Sequence, residues 1–355
     1  MKTLLSISAI FLCALNIQAQ NSSPAKPSED KSAKVPIEKS APPLDPKNMD
    51  TSIKPQDDFY LYANGGWIKQ NPIPPEFARW GSFNALAEHN NDALHEIAEK
   101  AAAASIKAPA NPGDKAADLR KVGDFYASGM DEKTVDAARI TPLADEFKRI
   151  DALKDRGEVL KEIAHLHASG LTGLFRFSAN QDAKNSTMVI AQASQGGLGL
   201  PDRDYYTKED DSSKKIRDQY VDHMTKMFTL LGEPADQASE HAKKVMAIET
   251  SLAKPARTRV EMRDPQKNYN KMKQAELQAL TPDWNWADYF KELKVVEPGD
   301  INVGQPEFFK AAGQVFASTP VEDWKIYLRW HLLHGTAGSL SKDFVEEISI
   351  SSPRP

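Results

Sequence analysis

The sequence has almost no cysteine. Cys13 is the only one among 355 residues, so no disulfide can form within the chain. Zinc sites built on cysteine pairs are excluded for the same reason, and no cysteine–histidine pair is available for nucleophilic catalysis. The fold therefore depends on a hydrophobic core, which a chain of this length can form.

A strong charge of either sign is also absent. The chain carries 45 Lys and Arg against 50 Asp and Glu, and its net charge is −5. A basic patch for nucleic acid or anionic lipid would need a clear positive excess. We therefore expect no nucleic-acid partner.

Long hydrophobic runs are missing after the N-terminus. Residues 1–3 are short and basic, residues 4–15 are apolar, and Ile17-Gln18-Ala19 offers small residues for cleavage. A run of about a dozen apolar residues is too short to span a bilayer, which favours a cleavable signal peptide over residues 1–19. The alternative is a buried N-terminal helix. Cys13 follows Phe11-Leu12 and does not fit a lipidation signal, so we expect a secreted or periplasmic bacterial protein without membrane insertion.

Residues 20–47 form a second distinct segment. They are rich in proline, serine and lysine and contain few large apolar side chains. Proline removes backbone donors and favours extended chain, so this segment is predicted to be a disordered linker. The folded part should begin at Asn48.

Helical periodicity dominates the remainder. Apolar residues recur at i, i+3 and i+4 from Phe83 to Ala101, and similar stripes follow. Residues 174–177 and 188–191 instead have the composition of strands, with a turn-prone stretch between them. The predicted fold class is mainly α, a large multi-helix domain with one short β-hairpin.

Metal-ligating patterns are incomplete. The zinc-peptidase motif His-Glu-x-x-His has one partial match at His95, where Glu99 replaces the second histidine. His165 and His167 are two residues apart and should point to different faces of a helix. His331 and His334 are three apart and could share a metal, although leucines between them favour polar groups at the edge of a core. We expect no catalytic and no metal-binding residue in this chain.

A glycine-rich stretch occupies residues 196–206 (GGLGLPDRDYY). It lacks the Lys-Ser/Thr pair of a phosphate-binding loop, and Leu200-Pro201-Asp202 interrupts any helix that could receive a phosphate. The composition favours a tight structural turn over a nucleotide site.

Several segments taken together resemble the neprilysin-like M13 family of zinc metallopeptidases, in its bacterial secreted form. Residues 57–67 (DDFYLYANGGW) resemble the opening motif of the family, and residues 199–206 (GLPDRDYY) resemble its most characteristic internal motif. Further matches follow in the family's order. They are Ile73-Pro74, residues 79–83, residues 263–265 with 269–272, and residues 324–331.

The resemblance covers residues 48–347, the N-terminal domain of that family. It implies a helical lid that roofs a catalytic domain and limits access to small peptides. The zinc ligands of the complete enzyme lie beyond this region, so the chain is expected to contain no cofactor and to be inactive alone. Residues 348–355 are interpreted as an unrelated tail, left by a frameshift, a premature stop or an incomplete gene. The alternative is a secreted helical module that binds peptides or a partner without cleaving them.

The resemblance also implies one substrate-binding position. Arg79 aligns with a family arginine that reaches towards the C-terminal carboxylate of short peptides. A guanidinium group suits that role because it can hold a carboxylate through two parallel hydrogen bonds. Asn84 stands where animal members have an acidic partner for the arginine, and Ala87 replaces a second arginine. The expected substrate-binding residues are thus Arg79 and Asn84.

Overall fold

The structure is a computed structural model, and it describes residues 44–75, 77, 79–105 and 115–351. The predicted signal peptide and most of the predicted linker lie outside the described residues. The described chain divides into two compact units, residues 44–131 and residues 132–351. The single domain predicted for residues 48–347 spans both of them. No helix among the described residues is long and apolar enough to cross a membrane.

The first unit is entirely helical in its regular structure. Its elements are a 3₁₀ turn at Pro46–Asn48, α1 at Phe59–Gln70, α2 at Ser82–Ser105 and α3 at Lys115–Gly129. Asp45 caps the 3₁₀ turn, because its side chain accepts from the backbone N–H of Lys47. Asp58 caps α1 by accepting from Leu61 at 2.9 Å, as expected for an aspartate at a helix N-terminus.

Helices α2 and α3 pack closely through small residues. A Cβ atom added to Gly123 of α3 would lie 2.4 Å from the carbonyl oxygen of Ala101 in α2, so this crossing requires glycine. The helix predicted from the apolar stripe is confirmed. The burial of that stripe is not, because Phe83, Leu94 and Ile97 are 86%, 63% and 53% exposed and only Ala101 of the stripe is buried.

The second unit places helices around a small sheet. Its helices are α4 Glu132–Ala138, α5 Ala144–Asp151, α6 Arg156–Ala168, α7 Asp204–Thr207, α8 Asp211–Leu230, α9 Ala235–Ala253, α10 Gln274–Leu280, α11 Trp286–Glu292, α12 Pro306–Ser318, α13 Val321–Thr336 and α14 Lys342–Ser351. Three-residue 3₁₀ turns at Thr141–Leu143, Glu261–Arg263 and Ala337–Ser339 join some of them. Helix α14 continues without a break past Ile348, where the sequence interpretation placed the start of a tail.

The sheet has four strands in the order β1-β2-β4-β3. The predicted hairpin is present as β1, Phe175–Asp182, paired antiparallel with β2, Asn185–Gln195. Beside β2 runs the parallel strand β4, Ile301–Val303, which pairs in turn with the antiparallel strand β3, Lys271–Met272. Sequence patterns did not predict β3 and β4, because two or three residues are too few for an alternation to be recognised.

The core of this unit is rich in aromatic rings. Phe175 of β1 stacks on Trp284 with 5.2 Å between ring centroids, and Trp324 lies 5.2 Å from Tyr327 in an edge-to-face arrangement. Such geometries add to the free energy gained from burying the rings. The largest fully buried side chains are Trp284, Trp286, Trp324, Trp330, Tyr289, Tyr327, Phe175, Phe228, Phe308, Phe309, Phe316 and Phe344.

A buried carboxylate connects the glycine-rich stretch to three helices. Glu249 of α9 is fully buried and accepts from the Tyr206 hydroxyl of α7 at 2.7 Å and the Tyr220 hydroxyl of α8 at 3.2 Å. The Tyr206 hydroxyl in turn accepts from the backbone N–H of Leu200 at 2.8 Å. Burial, followed by the charge of Glu249, raises the pKa of both tyrosines, so they stay protonated as donors.

The loop also approaches these side chains too closely for any residue larger than glycine. A Cβ atom added at Gly199 would lie 1.9 Å from the hydroxyl oxygen of Tyr220. Gly197 adopts a φ of +75°, and its carbonyl accepts from the Tyr327 hydroxyl at 3.0 Å. The prediction that this stretch is a tight structural turn agrees with this geometry.

We predict that Gly199→Ala destabilises the second unit. The added methyl group must displace Tyr220 from its hydrogen bond with Glu249, and overpacking of this kind typically costs about 1–3 kcal/mol. The free energy of unfolding should be measured by urea denaturation. Gly338→Ala is the matched control, because a Cβ atom there meets nothing within 4 Å. Equal denaturation midpoints for the two variants would contradict the prediction.

Candidate functional site

The candidate peptide contact lies in the first unit, at the beginning of α2. Arg79 is exposed, three residues before Ser82, and has no hydrogen-bond or ion-pair partner among the described residues. The hydrogen bonds of the helix begin with Ala85 N–H donating to the Gly81 carbonyl at 3.0 Å. The backbone N–H groups of residues 82–84 therefore have no acceptor within the helix, and the positive end of its dipole lies beside Arg79.

Asn84 occupies the first turn of α2 and is half-buried. Its side-chain oxygen lies 3.7 Å from the position that a Cβ atom of Gly81 would take, so it faces the backbone just before the helix. An amide carries no charge, so Asn84 cannot form the ion pair that an acidic residue would give Arg79. Unlike an arginine paired with an acid, Arg79 is available to an external carboxylate.

The partial zinc motif does not form a metal site. His95 Nε2 lies 2.8 Å from the Tyr126 hydroxyl and 3.4 Å from Glu99, and its side chain is 58% exposed. The contact with Tyr126 links α2 to α3, whereas the contact with Glu99 lies within α2. Zinc in a catalytic site needs about three protein ligands, which this position does not assemble.

The other histidines of interest lie in the second unit, where His165 and His331 are buried and His167 and His334 are half-buried. His165 and His167 point to different faces of α6, as their spacing predicts. His165 Nε2 lies 2.7 Å from Glu146, whereas His167 Nδ1 lies 2.7 Å from the Tyr289 hydroxyl. His331 and His334 lie in the core against Tyr327 and Trp330, with centroid distances of 4.2 and 4.9 Å.

One group among the described residues has metal-ligating atoms close together. Ligand atoms of Glu146, Glu162 and His165 lie within 4.8 Å of one another, and all three residues are buried. However, Arg149 Nη2 donates to Glu162 at 3.0 Å, and the His165 nitrogen is engaged with Glu146. Each carboxylate thus has one donor already, and only Oε1 of Glu162 is buried without a partner. With a guanidinium on Glu162 and the His165 nitrogen bonded to Glu146, the group does not offer the three free ligands of a catalytic zinc.

The charges in this group act on one another. The hydrogen bond from His165 lowers the pKa of Glu146, whereas burial raises the pKa of Glu162. The group thus connects α5 to α6 as a buried ionic network. Removing one partner of such a network is costly, because it leaves an uncompensated charge.

Sequence patterns missed Glu249 and Glu146, the most consequential acids in the fold. Each lies in an amphipathic helix, where an acid beside the apolar stripe is ordinarily solvated. Their partners Tyr206 and His165 are 43 and 19 residues away in the chain. The only signal for these buried positions was that both acids stand beside apolar residues of a helical stripe.

Comparison with known proteins identifies the family. The family model described as Peptidase family M13 matches residues 55–351. The chain belongs to peptidase family M13. Endothelin-converting enzyme 1 of Rattus norvegicus is 29% identical over 84% of this chain and 39% of its own length. Neprilysin-3 of Drosophila melanogaster is also 29% identical, over the same shares.

A solved M13 structure has the same fold. The zinc metalloprotease Zmp1 of Mycobacterium tuberculosis, in complex with an inhibitor, matches with a TM-score of 0.78 and 30% identity. The match covers 86% of this chain and 46% of Zmp1. The chain therefore spans less than half the length of these relatives. The mainly helical fold inferred from the M13 resemblance is confirmed.

We predict that His167 makes the stability of this M13 domain fall in acid. Burial lowers the pKa of His167 from 6.5 to about 4. The unfolded chain therefore binds a proton at a higher pH than the folded chain. The stabilisation is complete above about pH 6.5 and is lost as the pH falls towards 4, amounting to roughly 3 kcal/mol.

The measurement is the free energy of unfolding at several pH values between 7 and 4. His167→Gln keeps a hydrogen-bonding group but cannot titrate, so its stability should depend less steeply on pH. His95→Gln, at an exposed position, serves as the control and should keep the original slope. Identical slopes for all three proteins would show that His167 is not responsible.

Proposed function

We propose that residues 55–351 act as the non-catalytic, substrate-limiting part of a zinc metalloendopeptidase that cleaves small peptides. The observation that carries the proposal is the match of this whole segment to Peptidase family M13, with the same fold as a zinc metalloprotease. We further propose secretion to the periplasm or the medium, supported by the signal-like residues 1–19.

The exposed apolar residues of the first unit favour the view that this unit packs against a partner. Phe59 and Tyr60 of α1 are 69% and 65% exposed, as are most apolar residues of the α2 stripe. Apolar surface of this kind is typical of protein interfaces. We propose that it packs against the catalytic domain of the complete enzyme, where zinc would be held. The alternative of an independent binding module gains no comparable support.

The test is a chimera. The corresponding region of an active M13 relative is replaced by residues 55–351, and cleavage is compared for a short peptide and for a folded protein containing the same sequence. The short peptide should be cleaved and the protein should not. A chimera that folds, judged by cooperative unfolding, but cleaves both substrates equally would contradict the proposal. The nucleotide sequence downstream, translated in all frames, offers a second check for His-Glu-x-x-His.

We predict that the chain as given binds no stoichiometric zinc and cleaves no peptide. Its sequence contains no His-Glu-x-x-His, and in the cluster of ligand atoms found among the described residues Arg149 already binds Glu162 and His165 binds Glu146. An activated water needs a metal with an open coordination position. Metal analysis of the purified chain after dialysis is the measurement. One tightly held zinc per molecule would overturn the prediction.

We propose that Arg79 binds the C-terminal carboxylate of the peptide, assisted by the free N–H groups at the start of α2. In the chimera, Arg79→Ala should lower kcat/KM for a peptide acid more than for the matching peptide amide. Loss of one charge-assisted hydrogen bond costs about 1.5–3 kcal/mol, which corresponds to about tenfold or more in that ratio.

A conservative variant separates the effect of the positive charge at residue 79 from the effect of the guanidinium geometry. Arg79→Lys keeps the positive charge but loses the bidentate guanidinium, so it should restore only part of the preference for the acid. Lys54→Ala, which removes a cation of the same unit outside α2, is the control and should leave the ratio unchanged. An acid-to-amide ratio that is the same with and without Arg79 would exclude the residue as a carboxylate anchor.

A further inference from the structure

The last helix of the described chain is attached to the body of the second unit by a partly buried hydrogen bond between a histidine and a carboxylate. Glu347 of α14 accepts from His223 of α8, with 2.9 Å between Oε1 and Nδ1. Lys226 of α8 lies 3.7 Å from the other oxygen of Glu347. Apolar contacts accompany the pair, since Phe344 is fully buried and Ile348 packs against the core.

The protonation state of His223 follows from its surroundings. A carboxylate can only accept a hydrogen bond, so Nδ1 must carry the proton that points to Glu347. The other nitrogen, Nε2, is buried and has no hydrogen-bond partner. The side chain as a whole is only 4% exposed. In its neutral form His223 therefore makes one hydrogen bond and leaves one bare lone pair in the core.

A second histidine faces the same place. The ring of His334, on α13, lies 6.2 Å from the ring of His223, nearly perpendicular to it. Its Nδ1 is also buried without a partner. Trp330 contacts both rings, with centroid distances of 5.7 and 4.9 Å. No carboxylate of the described residues is within hydrogen-bond distance of these two bare nitrogens, so an added proton has no counterion among them.

The charged and titratable groups around the pair come from four elements. From α8 come His223 and Lys226, and from α14 comes Glu347. From α13 come His334 and His331, and the latter lies 3.3 Å from Glu249 of α9. At the rim, Arg139 pairs with Asp343 of α14 at 2.9 Å. Only Glu347 stabilises a charge on His223, while Lys226 and a protonated His334 oppose it.

We propose that His223 and Glu347 form a proton-sensitive latch, which holds α14 against α8 at neutral pH and releases it in acid. When α14 is docked, a second proton on His223 must be buried beside His334. When α14 is released, water can solvate the charged ring. The released form therefore binds the proton more tightly, and acid shifts the equilibrium towards it.

The directions in which the pKa values of His223 and His334 are shifted agree with this geometry. Burial lowers the pKa of His223 even though Glu347 opposes the shift. Burial also lowers the pKa of His334, to about 4, and the charges of His331 and His223 add to that effect. Docking is thus fully stabilised above the ordinary histidine range near 6.5 and weakens as the pH falls below it. The inference rests on these contacts and does not depend on the proposed peptidase role.

The experiment is hydrogen–deuterium exchange on the full chain, reading the backbone amides of residues 342–349 at pH 7.5 and pH 5.0. Protection factors are corrected for the intrinsic pH dependence of exchange. We expect protection in the unsubstituted protein to fall severalfold at the lower pH, because pH 5.0 lies below the ordinary histidine pKa near 6.5 and the released form binds the proton more tightly. His223→Gln cannot titrate at this position and should make protection nearly independent of pH.

Neighbouring acids on the same helix supply a matched control. Glu347→Gln should lower protection at pH 7.5, because the ionic contact is lost. Glu346→Gln removes a carboxylate that is 63% exposed and pairs with Lys342, so it should behave like the original protein. A fall in protection that persists in His223→Gln, or equal effects of the two glutamate variants, would overturn the proposal.

The original protein provides a test that needs no variant. The His223 ring can be titrated by NMR while the protection of α14 is followed at the same pH values. The latch requires both transitions to have the same midpoint. A ring that titrates while α14 stays protected would contradict the proposal even if His223→Gln failed to fold.

Discussion

The second unit depends on one fully buried carboxylate. Glu249 receives hydroxyl groups from Tyr206 and Tyr220, and through them it connects α7, α8 and α9 to the backbone of the glycine-rich stretch. A buried charge is costly unless its hydrogen bonds are satisfied. The positions of the surrounding helices are therefore restricted to those that deliver both hydroxyls. Gly199 follows from the same constraint, because only glycine allows the backbone to approach Tyr220 so closely.

The helices could be predicted because their signal is local. Apolar spacing found α2, and strand-like composition found the β1–β2 hairpin, since both patterns are complete within a few turns or residues. The surface against which the apolar stripe of α2 packs could not be predicted. Periodicity identifies the apolar face of a helix and not the element that covers this face. Phe83 shows the difference, because it lies in the expected helix and is 86% exposed within the described chain.

The polar interactions could not be predicted from the sequence, for a different reason. Glu146, Glu249 and Glu347 all resemble surface acids of amphipathic helices. Each becomes structural only through a partner brought near by the tertiary fold, such as His223, which is 124 residues from Glu347. Arg79 is the opposite case, because a short motif resembling the M13 pattern singles it out. Its isolation at the start of α2 is a geometric fact that no motif contains.

Tyr327 has a consequence for the order in which the chain can fold. Its hydroxyl accepts from the backbone N–H of Leu174 and donates to the carbonyl of Gly197, contacts that span 153 and 130 residues. Closing loops of that length carries an entropic cost before any contact repays it, so such contacts form after the local ones. The contacts of Leu174 and Gly197 with Tyr327 can therefore form only after α13 has been synthesised and has packed. The turn at Gly197, just before the motif of residues 199–206, is thus completed later than the local contacts of that motif, such as the one between Leu200 and Tyr206.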